Sequence, residues 1–202
     1  MSIGLLLVAI LFQIAGAAML VAGAPPLAVL HAFAAFVVLA IVAASHQLIP
    51  VFFRCAPMPP GITLAVSAGF IAGFVLLIDA FCGAPTFASA GVILSMSTLT
   101  WGTMVLCRLI PARAERSTGV AIGLATASFV VAGVLGALAA AAIGRGSSFP
   151  VRLPVIHGSL MILAFASVFV VALSYRFVPM FALAHTSEYG NRAWQFVLIA
   201  AA

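Results

Sequence analysis

Six stretches of this chain, residues 3–23, 27–53, 62–82, 87–110, 118–143 and 155–184, are long apolar runs with almost no charge. A helix rises about 1.5 Å per residue, so about 20 apolar residues cross the roughly 30 Å hydrocarbon core of a bilayer. Backbone amides and carbonyls find no water in that core, and a run of this kind satisfies them by closing its own helical ladder. The breaks between runs carry turn chemistry: Pro25-Pro26, Pro57-Met58-Pro59-Pro60-Gly61, Gly83-Ala84-Pro85, Pro111, and the stretch from Gly144 to Pro154. These connections are short, so neighbouring helices run antiparallel and no soluble domain fits between them. The expected fold is all-α, a polytopic transmembrane helical bundle of six complete spans in a single transmembrane domain over residues 1–202. A seventh apolar run, 193–202, reaches only about 15 Å as a helix. It reads as a partial seventh span, and the chain as part of a longer domain.

Composition agrees with a lipid-facing surface. The chain is 66% hydrophobic and 5% charged, whereas soluble domains carry about 25% charged residues. Its net charge of +5 comes from arginine without any lysine. Those arginines lie between apolar runs, which fits loops at a membrane face and not a nucleic-acid patch. The expected partner is therefore a lipid bilayer and not nucleic acid. Arg54, Arg108, Arg113, Arg116, Arg176 and Arg192 fall on one face, and Arg145 and Arg152 on the other. The positive-inside rule makes the first face cytoplasmic and places the N-terminus inside. The N-terminal run has no basic start, so it reads as a first spanning helix and not as a cleaved signal. Cys55, Cys82 and Cys107 show no CxxC spacing and read as free thiols.

Polar and ionisable groups inside a membrane are costly, so each is a candidate for function. Here they are Gln13, His31, His46, Asp79, His157, Tyr175 and Arg176. His46, His185 and Arg176 lie near the cytoplasmic boundary, where they read as interfacial anchors, and Tyr175 as an interface-belt aromatic. Asp79 lies a few residues from its helix end and reads as a snorkelling or capping group. Ser95, Thr98, Thr100 and Thr103 in the fourth run read as helix-packing groups.

The second and sixth runs look alike. One reads Leu30-His31-Ala32 and later His46-Gln47-Leu48-Ile49-Pro50-Val51-Phe52. The other reads Ile156-His157-Gly158 and later Tyr175-Arg176-Phe177-Val178-Pro179-Met180-Phe181. The histidines are 126 residues apart and the prolines 129, a spacing of four helices that points to a four-helix repeat. A repeated histidine at one depth suits metal or haem ligation, because neutral imidazole ligates iron and a dry interhelical pocket can bury a porphyrin. Phe33, Phe36, Leu160 and Phe165 could line such a pocket, but phenylalanines at this spacing are more often plain packing, and they are given no site role.

On these two helices, and on the following Ala184-His185-Thr186-Ser187-Glu188-Tyr189, the chain resembles subunit I of the haem–copper oxidase superfamily. The closer likeness is to its cbb3-type subunit-I-like and NnrS-like relatives. The resemblance covers the whole chain as roughly the N-terminal half of such a subunit. It implies a twelve-helix fold of three four-helix arcs with histidines on helices 2, 6 and 10. By position, His31 would be a haem-iron ligand on helix 2, its family partner coming from helix 10. His157 would stand where the family places a copper ligand on helix 6. Several oxidases carry His-Pro-Glu-Val-Tyr there, whereas this chain reads His157-Gly158-Ser159-Leu160-Met161.

The resulting expectation is an integral membrane subunit of the bacterial inner membrane that binds haem, with copper as the other metal, at His31 and His157. Its expected roles are electron transfer or O2/NO handling, beside other membrane or cytochrome subunits. The competing readings are a transporter or channel, with Asp79, His31 and the hydroxyl face lining a path, and a non-catalytic assembly subunit. The orientation is testable by itself. A reporter fused after Ile110 should be active only in the cytoplasm, and one fused after Ile143 only outside. An externally active fusion after Ile110 would reverse the assignment.

Overall fold

The computed structural model describes residues 2–109, 116–147 and 152–181. Its elements are α1 (Ser2–Val21), α2 (Pro26–Phe53), α3 (Pro60–Phe81), α4 (Phe87–Leu109), α5 (Arg116–Gly144), α6 (Arg152–Ser159), a π-helical stretch (Leu160–Ser167) and α7 (Val168–Phe181). The last three follow one another without a break, and within them Arg152–Tyr175 forms the sixth span. Six helices are long and apolar enough to cross a membrane, and no strand occurs among the described residues. The chain is an integral membrane protein. The run 193–202 lies outside the described residues.

Proline and left-handed caps set the helix ends. Pro25 and Pro59 stand as N-caps in the extended polyproline region, each followed by proline at the first helical position. That position needs no amide hydrogen, and the ring presets φ. Arg54 closes α2 in the left-handed region at φ 49°, its amide donating to the Pro50 carbonyl. Gly83 turns the chain after α3 at φ 112°, where a side chain would be strained.

Helices adjacent in sequence pack side by side, and α5 also packs along the whole sixth rod. The largest fully buried side chain is Trp101 of α4. Its ring meets Phe129 of α5 edge-on at 5.5 Å and Phe165 of the π stretch at 6.0 Å. Phe129 and Phe165 stack at 4.2 Å. Aromatic pairs of this kind add about 0.5–1.5 kcal/mol each beyond area burial. The indole Nε1–H donates to Ser45 Oγ of α2 at 3.0 Å, and Ser45 Oγ donates on to the Val42 carbonyl at 2.7 Å. One tryptophan thus ties α2, α4, α5 and the sixth rod together, with its single polar atom satisfied.

Small residues hold α4 against α5. A Cβ on Gly91 would stand 3.2 Å from Ala140 Cβ and 3.4 Å from Ala137 Cα, and one on Gly133 would stand 3.0 Å from Thr98 Cγ2. Ser95 Oγ donates to the Gly91 carbonyl of its own helix at 2.7 Å and reaches the Gly133 carbonyl at 3.5 Å. In lipid, such close backbone approach supplies dispersion contact where the hydrophobic effect supplies little. Ser95 and Thr98 therefore act in helix packing as expected. Thr100 and Thr103 do not, because both are exposed. The fifth span packs against both α4 and the sixth rod.

Gly133→Leu should drive a branched side chain into Thr98 and part α4 from α5, with a marked loss of folded yield and melting temperature in detergent. Gly4→Leu, where nothing lies within 4 Å of the added carbon, should leave both unchanged. Equal behaviour of the two variants would show that this seam does not hold the bundle.

Candidate functional site

His31 lies in the second turn of α2, and His157 lies in α6 just before the π stretch. Both helices start after an odd number of spans, one before α2 and five before α6, so both histidines stand at the same end of the bundle. His31 is half-buried. Its Nδ1 donates to the Leu27 carbonyl at 2.7 Å, and its ring stacks on Phe81 of α3 at 4.8 Å and 29°. His157 is half-buried against α5, with Nδ1 donating to the Ala132 carbonyl at 2.9 Å. The absence of a side chain at Gly136 makes room for this ring, since a Cβ there would lie 3.0 Å from His157 Cε1. Both imidazoles turn toward other helices of the bundle.

A carbonyl can only accept, so each Nδ1 carries the hydrogen. In the neutral ring Nε2 then keeps its lone pair. Anchoring one ring nitrogen on a carbonyl is the way proteins orient a ligating histidine and fix which nitrogen is free. Neither bond uses a charged partner.

Between α2 and the sixth rod, starting one residue before His31 on one wall and four residues after His157 on the other, lies a cleft of about 560 Å³. Such a volume is in the usual range for small-molecule sites. Its walls are apolar and include Leu30, Phe33, Val37, Met161, Phe165 and Val170. Phe33 and Phe165 line it, and Phe36 and Leu160 do not. The sixth-rod wall includes Met161, Ile162, Phe165, Ala166 and Ser167 of the π stretch, and π turns within α-helices are frequent at functional sites.

The other intramembrane polar groups are scattered. Asp79 and Gln13 are exposed. Tyr175 is half-buried, and the Arg176 side chain and His185 lie outside what is described. His46, expected as an interfacial anchor, is half-buried, and its Nε2 is enclosed without a hydrogen-bond partner among the described residues. Arg108 pins the α2–α3 connection, donating to the carbonyls of Ala56 and Pro57 at 3.2 Å each and to Met104 at 2.8 Å. The three cysteines are free. The hydroxyls of Ser97 and Thr100 bond carbonyls of their own helix.

Sequence reasoning missed Ala132 and Gly136, the residues that seat His157. A bond to a backbone carbonyl leaves no mark on residue type. The glycine-rich fifth run was the available signal.

No protein-family model, curated protein or solved structure matches the chain.

Among the described residues no group of three or more histidine, cysteine or acidic side chains could hold a metal ion. The donor set is therefore two imidazole nitrogens, and neither ring is among the residues that line the apolar cleft. Two imidazoles suit a group needing one or two axial nitrogen ligands, as haem does. They do not suit a zinc site of the closed four-ligand kind.

Nitrogen-15 spectra of histidine-labelled protein at neutral pH should show His31 and His157 protonated on Nδ1 with Nε2 unprotonated. Gly136→Leu should abolish that signature for His157 and leave His31 unchanged. An Nε2–H tautomer at either site in the parent protein would contradict the hydrogen bonds described.

Proposed function

We propose that this chain is a haem- or metal-binding membrane subunit, with His31 and His157 as the ligating residues and electron transfer or O2/NO handling as its role. One observation carries the reading: two half-buried imidazoles stand at one end of the bundle, each fixed through Nδ1 on a backbone carbonyl with Nε2 left free, on the two elements whose following residues wall an apolar cleft. The likeness to haem–copper oxidase subunit I stated from the sequence supports haem over other metals. The chemistry of imidazole does not choose among them, since it binds iron, copper and zinc alike.

The chain's own contributions are specific. Leu27 and Ala132 hold the two rings through their carbonyls, Phe81 restrains His31 by stacking, and Gly136 opens the space that His157 fills. Phe33 and Phe165 give the cleft aromatic walls, and the absence of charge on those walls keeps the local dielectric low. A haem held there would supply one-electron chemistry and a site for a diatomic ligand. In this reading the protein works in a bacterial inner membrane with its N-terminus in the cytoplasm, beside other membrane or cytochrome subunits, as the arginine distribution and the resemblance imply.

The chain purified from membranes together with its natural partners should contain haem or a transition metal, with a Soret band if haem is the group. His31→Ala and His157→Ala should each lower the bound group by more than half while the helical circular-dichroism spectrum is kept. Parent protein that carries neither haem nor metal would end this reading, and the two histidines would then be packing groups.

A further inference from the structure

Gln13 is a polar residue in an unusual place. It lies in the twelfth position of the 20-residue α1, so about 16 Å of helix precede it and about 12 Å follow. That is well inside the hydrocarbon. Its side chain is exposed and has no hydrogen-bond partner among the described residues. The face of α1 that packs against the bundle carries Leu5, Ala9, Phe12 and Gly16, and Gln13 is not part of it. A carboxamide facing lipid forfeits its hydrogen bonds, which is costly in hydrocarbon.

The residues around Gln13 are ordered. Ile3, Leu6, Ile10, Gln13, Ala17 and Leu20 share one exposed side of α1 at three- and four-residue spacing, beside the equally exposed row of Gly4, Leu7, Leu11, Ile14, Ala18 and Val21. Of the two rows, the first carries the polar group, at a spacing that makes a seam along which two helices can wind together. It lies about 100° around the helix from the face that packs on the bundle.

We infer that α1 is a homodimerisation helix, docking along this seam on α1 of a second copy of the chain, with Gln13 bonded to its own counterpart. Two features select a second copy as the occupant. A carboxamide both donates and accepts, so it is complementary to itself across a two-fold axis. Copies of one membrane protein also share their orientation, so a two-fold axis along the bilayer normal brings α1 parallel to α1 and sets Gln13 at the same depth as Gln13. Glutamine bonds of this kind join helices within membranes. A single polar residue in an apolar seam also fixes register.

The test uses the full chain in lipid vesicles, with Cys55→Ser, Cys82→Ser and Cys107→Ser as background. Single cysteines at Leu6, Ile10, Gln13 and Ala17 should join two copies through a short bismaleimide, and cysteines at Leu7 and Leu11 should not. Separately, dimer dissociation measured by single-molecule photobleaching should become roughly three- to fifteen-fold easier in Gln13→Leu, and return toward the parent value in Gln13→Asn. Leucine at a lipid-facing position keeps the fold, which the helical spectrum verifies. Cross-links from Gln13→Cys to a different polypeptide, cross-linking spread evenly around α1, or unchanged dissociation in Gln13→Leu would each overturn the inference.

Discussion

A polar atom buried in a bilayer must find its hydrogen bond within the protein, and the arrangement of this bundle follows from that scarcity. The Trp101 indole reaches Ser45, and Ser45 reaches the Val42 carbonyl. The hydroxyls of Ser95, Ser97, Thr100 and Thr126 turn back to carbonyls one turn earlier on their own helices. His31 does the same, while His157 takes a carbonyl from α5. The backbone thus serves as the acceptor for nearly every side chain that must be satisfied. One result is that the two candidate ligands are held by groups that substitution cannot easily remove.

Packing answers a different shortage. Lipid tails are as apolar as leucine, so burying a leucine between helices gains little over leaving it in the bilayer. Close contact has to come from shape, and glycine gives it at the Gly91–Ala137, Thr98–Gly133 and Gly136–His157 approaches. The larger apolar residues of α1 and of the sixth rod, such as Leu7, Leu11, Ile162 and Leu163, are left outside. Inside and outside are thus distinguished less by hydrophobicity than by size and by the aromatic cluster around Trp101.

That distinction explains what the sequence made legible. The spans were readable because apolar length and proline punctuation are one-dimensional signals: run 27–53 became Pro26–Phe53, and run 62–82 became Pro60–Phe81. Which face of each helix turns inward was much less so, since both sides are apolar and amphipathic periodicity is weak. The π stretch at Leu160–Ser167 has no polar residue of its own before Ser167 to betray a change of register. The pairing of Trp101 with Ser45 joins residues 56 positions apart and has no local trace. The two histidines stood out because a polar residue recurring at matched depth is rare in such a chain. The carbonyls that orient them are anonymous, and so was His46, whose enclosed Nε2 depends on neighbours that its own helix does not reveal.

The cleft between α2 and the sixth rod is walled in part by residues that also form the outer surface, among them Leu30, Val37, Ile162 and Val170. It therefore opens sideways, into the acyl chains. A molecule entering from that side would arrive by lateral diffusion in the plane of the membrane. Its filling is set by how strongly the entering molecule partitions into lipid, and only indirectly by its concentration in water. A few apolar carbons added to such a molecule raise its local concentration by orders of magnitude without one new contact to the protein. Selectivity among molecules that reach the cleft this way would begin in the bilayer.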